Sequence, residues 1–309
     1  MTRWIPMLAA AAWIAQPASA GELLVTSFFS DQVGRYSLAD GSHLGALQSG
    51  VGLDGALAAR IGPDGLLYVA SEGSDTIQRY QVASGAFVDT FVAAGSGGLD
   101  GPTGMTWGPD GDLYVPSFNT DEVLRYNGQT GAFIETAVAA GEGSLSGPDN
   151  GAIFGPDGAL YVPSFWNNRV LRYDLSSGVV STFVSFINRP RVLIFDGDRL
   201  LITAEGGHTV KTYDPGSGEF LGNLVSSGAG GLTGPVGMAL DGGDLFVTSS
   251  NNSVLRYDAT TGEFLGEFIS PGLGGINGPV FLTIVPEPAA GVLMVLGAAL
   301  ASKRAQRRG

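Results

Sequence analysis

Four side chains, Glu72, Asp149, Asn150 and Glu205, are the sequence's foremost candidates for metal chemistry. All four offer hard oxygen donors, and three or more such donors meeting at one point would suit Ca²⁺. His208 lies three residues after Glu205. Imidazole titrates near neutrality, so this spacing offers an acid–base pair. A second group is aromatic: Phe118, Phe165 and Trp166 stand beside Asn119, Asn167 and Asn168. Ring faces next to amides match the C–H faces and hydroxyl edges of sugars, and the same rings would serve a protein partner. Phe118 and Phe165 both follow Pro-Ser in one register, which also fits rings packed between repeats. Trp166 and the paired asparagines have no counterpart in the preceding repeat, which favours a functional role for them. The chain has no cysteine, so thiolate ligands, cysteine nucleophiles and disulfides are excluded. No nucleophile-elbow or phosphate-loop motif stands out.

These residues hang on a repeat. The phrase Gly-Pro-Asp-Gly-x-Leu-Tyr-Val begins at Gly62, and near copies begin at Gly108 and Gly155. Weaker copies start at Asp196 and Asp241, and Glu22–Ser27 is a copy lacking its first part. Successive copies lie about 40 to 47 residues apart, the period of a radially repeated β fold. Within one copy, Thr103–Trp107 reads as a first strand and Asp112–Pro116 as a second. Glu122–Tyr126 alternates as a third, and Ala132–Val138 follows as a fourth. Pro-Asp-Gly and Thr-Gly supply the hairpin turns.

Six repeats start at Ala56, Thr103, Asp149, Pro190, Val236 and Val280. The last offers only a first strand, and the N-terminal copy lacks one. Joining the two completes a repeat and removes an open sheet edge. The expected fold is all-β: a six-bladed β-propeller of four-stranded antiparallel blades over residues 21–285, closed by strands from both chain ends. Antiparallel order puts the loops before each first strand on one face with the loops between second and third strands. That face carries the diverse loops and all the candidates above.

The phrases resemble those of NHL-type and gluconolactonase/regucalcin-like six-bladed propellers. Gluconolactonase-like members hold a central divalent metal with a Glu, an Asn and an Asp. Glu72, Glu205, Asp149 and Asn150 supply those residue types, but without the family's surrounding motifs. The resemblance therefore implies the frame and leaves a metal-dependent lactonase, hydrolase or lyase as the alternative to a binding module.

The two ends read as addresses. Residues 1–20 carry Arg3, an apolar run through Ile14 and Ala18-Ser19-Ala20, the pattern of a signal peptide cut before Gly21. The C-terminus reads Pro286-Glu287-Pro288, an apolar run from Ala289 to Ala301, then Lys303, Arg304, Arg307 and Arg308. This resembles the PEP-CTERM sorting signal of Gram-negative bacteria. The resemblance implies an exosortase-type partner, transient inner-membrane anchoring by the C-terminal helix, and delivery to the cell surface or extracellular matrix. Short apolar helices are thus expected at both termini. Setting aside Arg3 and the four basic tail residues leaves 11 cations against 29 anions, about −18. Such a surface disfavours nucleic acid. The expected role is an exported, non-enzymatic binding module for extracellular polysaccharide or matrix proteins.

Overall fold

The computed structural model describes residues 21–48 and 52–286. They form six four-stranded antiparallel sheets arranged as the blades of a propeller. Blade 1 takes its innermost strand, Pro279–Val285, from the C-terminal side and pairs it with Glu22–Ser27. Gln32–Ser37 and His43–Ala46 complete that blade. Blades 2 to 6 begin at Ala56–Ile61, Thr106–Trp107, Ile153–Phe154, Pro190–Asp196 and Met238–Asp241. The expected closure is therefore present. The segments read as terminal helices lie outside the described residues, as do Glu287 and Pro288; Pro286 ends the described chain, exposed.

The turn phrase explains its own residues. In blade 2, Gly65 has φ 78°, which a side chain would resist. Asp64 accepts hydrogen bonds from the Leu66 N–H at 3.1 Å and from the Tyr68 hydroxyl at 3.0 Å. Tyr114 and Tyr161 donate to Asp110 and Asp157 in the same way, at 2.8 and 3.1 Å. The carboxylate thus fixes the turn and satisfies a tyrosine whose ring is buried in the core.

Neighbouring blades are latched by a second repeated device. The residue just before each third strand adopts left-handed backbone: Asp31, Asp75, Asp121, Asn168, His208 and Asn252, with φ between 50° and 69°. Its side chain accepts the backbone N–H of the loop entering the next blade. The pairs are Asp31–Gly55 at 2.7 Å, Asp75–Gly101 at 2.7 Å and Asp121–Gly147 at 2.6 Å. They continue as Asn168–Arg189 at 2.9 Å, His208–Gly234 at 2.8 Å and Asn252–Gly278 at 2.8 Å. The last pair carries the latch across the seam into the closing strand of blade 1. Asp and Asn tolerate left-handed backbone better than other side chains and offer a short acceptor, which accounts for five of the six residues.

The first strands line the central axis, and they crowd near its middle. A Cβ on Gly104 would stand 2.7 Å from the Asn150 carbonyl oxygen, and one on Gly237 the same distance from that of Val280. Only glycine lets these backbones approach so closely. At this narrow waist Ala58, Met105, Asn150 and Val192 are buried, at most 2% exposed. The cavities at the two mouths, on the loop face and on the turn face, share no lining residue.

The latch predicts a graded response to substitution. Asp121→Ala removes the acceptor and leaves the Gly147 N–H unpaired, a loss of about 2 kcal/mol. Asp121→Asn keeps the acceptor, as Asn168 and Asn252 do, and is expected to cost less than about 0.5 kcal/mol. Urea unfolding of the two variants beside the parent measures the difference.

Candidate functional site

The loop-face mouth is a cavity of about 710 Å³. Its lining comes from the two loop sets that strand topology assigns to one face. Six blades in a ring set blades 1 and 4 opposite one another, and likewise blades 2 and 5. Blade 1 contributes Phe28 and Phe29. Across from them stand Phe165 and Trp166 of blade 4, flanked by Phe118 of blade 3. Phe29 is 72% exposed and Trp166 56%, so both rings face solvent rather than core. Trp166 lies against Gly147, and Phe29 against Gly278, where a Cβ would collide with either ring. The two glycines therefore seat the two rings at opposite rims.

The other axis is charged. Blade 2 contributes Glu72, and blade 5 contributes Arg189, Arg191, Glu205 and His208. Arg191 bridges two carboxylates, meeting Asp149 of blade 4 at 2.5 Å and Glu205 at 2.5 Å. Its guanidinium also stacks on Phe165, 4.2 Å from the ring centre. Arg189 reaches Glu205 at 3.7 Å and lies over Phe165 and Trp166 at 5.3 and 6.0 Å. Asp149 is fully buried. Burial pushes its carboxyl upward, and Arg191 pulls back against that rise. A hydrogen-bonded guanidinium at contact distance keeps such a carboxylate ionised.

Glu72 and Glu205 occupy the same place in opposite blades, each followed by glycine after a second strand. Their surroundings differ. Glu205 is held by two arginines, whereas Glu72 is partly buried and forms no ion pair among the described residues. Burial, then the negative charge of Asp149, push the Glu72 carboxyl up to about 7, with Arg191 acting in the opposite sense. Glu72 is therefore readier to take a proton than an ordinary solvated glutamate.

The oxygen donors and His208 take other partners: Asp149 and Glu205 both pair with Arg191. Asn150 directs its Nδ2 at the Val280 carbonyl, 3.5 Å away, and its buried Oδ1 has no partner. Among the described residues no cluster of three His, Cys, Asp or Glu side chains is placed to hold a metal. His208 does not pair with the Glu205 carboxylate. Its Nδ1 accepts the Gly234 N–H, leaving Nε2 as the protonated nitrogen of the neutral ring.

The amides expected beside the aromatics are also committed elsewhere. Asn119 donates to Asp100 at 2.7 Å, Asn167 donates to the Ser144 carbonyl, and Asn168 is a blade latch. Phe165 is buried at 4% exposure, with Arg191 against its face. Of the predicted aromatics, Trp166 presents the open ring and Phe118 is partly buried. Phe29, Arg189 and Arg191 stand in the loop sets that the sequence assigns to this face, though not among its candidate site residues. Their signal is a departure: Asn188-Arg189-Pro190-Arg191 stands where other repeats carry Gly-Pro, as in Thr233-Gly234-Pro235.

No protein-family model matches the sequence, and no curated protein does. Solved structures match across nearly the whole chain. A chain of a nidogen/laminin complex shares 16% identity with a TM-score of 0.71, covering 87% of this chain and 100% of that one. A catalytically inactive virginiamycin B lyase from Staphylococcus aureus, with quinupristin, shares 18% identity at TM-score 0.57, covering 88% and 93%. A protein from Bacteroides caccae shares 14% at TM-score 0.63, covering 86% and 99%. The chain is a six-bladed β-propeller, the fold it shares with these structures. At such identities the likeness concerns fold alone.

Two outcomes follow from the charged axis. Arg191→Met strands a buried Asp149 and is expected to cost about 3–5 kcal/mol; adding Asp149→Asn should recover most of it. Denaturant unfolding of the single and double variants tests this. Glu72 binds its proton more tightly folded than unfolded, so it opposes stability as pH rises from about 4.5 through about 7. Glu72→Gln should therefore be more stable than the parent by about 1–2 kcal/mol at pH 8 and equal to it at pH 4. Thermal unfolding across that range reads the crossover.

Proposed function

We propose that this chain is an exported, non-enzymatic binding propeller of the cell surface or extracellular matrix, and that its loop-face mouth holds an extracellular polysaccharide. The opposed aromatic rims carry the reading. Phe29 and Trp166 offer open ring faces on opposite sides of one cavity, with the Arg189–Arg191–Glu205 cluster between them as hydrogen-bonding edge. Aromatic faces flanked by polar groups suit sugar rings. Chains of similar fold include one from a complex between two proteins, so a protein occupant is the neighbouring alternative.

The address segments support the location. The N-terminal segment would deliver the chain across the inner membrane. An exosortase-type enzyme would then recognise Pro286-Glu287-Pro288, after transient anchoring by the following apolar segment.

A second reading is acid–base catalysis at the same mouth. Its support is Glu72, whose carboxyl burial pushes up to about 7 and which lines the cavity opposite His208. Lyases are among the chains of similar fold, which makes elimination the reaction class to assay.

A glycan array probed with the full chain is expected to return a polysaccharide fragment. Trp166→Ala should weaken that fragment about tenfold, or ~1.4 kcal/mol. An array without a hit removes the polysaccharide reading. Calcium at millimolar concentration is expected to leave the melting temperature unchanged, since a real site would raise it by mass action. A clear rise, or turnover of a lactone, would favour a metal-dependent enzyme.

A further inference from the structure

The turn-face mouth, on the other side of the waist, holds a cavity of about 580 Å³. Its wall is made largely of first-strand side chains, among them Phe154, Ile194, Leu240, Phe281 and Ile284. Arg60 also lines it. The other arginines among the described residues each bond to a carboxylate or a carbonyl. Arg60 makes neither an ion pair nor a hydrogen bond there, and its Nε is buried without a partner. Its guanidinium lies over the Phe281 ring, 5.0 Å from the centre. Burial pulls the group down to about 10, which still leaves it cationic at neutral pH.

A second donor in the same wall is in the same condition. The Trp107 indole Nε1 is buried and has no acceptor. Its ring is held edge-on against Tyr68, 4.8 Å between centres, and Tyr68 lies opposite Arg60 in the strand pair of blade 2. Buried donors without acceptors are costly, and the cost is removed by an occupant that brings the acceptor. The chain is strongly acidic, so leaving one arginine unpaired in an apolar cavity is unusual for its composition.

We infer that the turn-face mouth is a second binding site, for a small carboxylic acid with an apolar body, whose carboxylate meets Arg60 and Trp107 Nε1 while the body fills the apolar wall. A carboxylate supplies the acceptors and the opposite charge; a neutral alcohol supplies neither charge nor bidentate geometry, and an amine repels. The volume falls within the range of small-molecule pockets. This site shares no lining residue with the loop-face mouth.

Isothermal titration of the full chain with octanoate, octanol and octylamine tests the inference. Octanoate is expected to bind one per chain, octanol at least tenfold more weakly, and octylamine not at all. Arg60→Met keeps an unbranched apolar side chain and should lower octanoate affinity at least tenfold. Trp107→Phe keeps the ring, loses the donor, and should lower it several-fold. Thermal unfolding confirms that each variant is folded. Trp166→Ala, at the other mouth, should leave octanoate binding unchanged. Equal binding of octanoate and octanol, unchanged affinity in Arg60→Met, or no octanoate binding at millimolar concentration would each overturn the assignment.

Discussion

Six side chains set in left-handed backbone, each taking one N–H from the next blade's entry loop, fix how the blades sit against one another. The hydrogen bonds span 2.6 to 2.9 Å and run round the whole ring, including the seam between the chain's two ends. Every loop that lines the loop-face mouth either carries such a side chain or receives one. The rims that hold Phe29 and Trp166 are therefore held by the same bonds that hold the blades. This is how a fold of near-identical units can place unlike side chains at fixed positions across one cavity.

Much of this is legible in the sequence. The turn phrase and its spacing yielded the strand order, the blade number and the closing strand, because hairpin chemistry is local and repeats itself. The latch was legible in principle, as a column of Asp31, Asp75, Asp121, Asn168, His208 and Asn252. It was hidden by the mixture of residue types, which share only a short acceptor. His208 looked chemical when read alone, and the column shows it doing the work of an aspartate.

The site was read less well, and the reason is pairing. Oxygen donors can be found in a sequence, but their counter-ions arrive from other blades. Asp149 and Glu205 looked like ligands awaiting a metal until Arg191, 42 residues from Asp149, proved to lie between them. The asparagines beside the aromatics were likewise spent on backbone and carboxylate partners. Conversely, Arg60 is one arginine among several in an acidic chain. Its interest is the absence of any carboxylate facing it among the described residues, which no linear reading reveals.

The glycine-made waist has a further meaning. The cavities on its two sides share no lining residue, so one annular frame presents two separate mouths, one apolar and one mixed aromatic and charged. A molecule of this kind can offer two unlike surfaces at once, back to back on one axis.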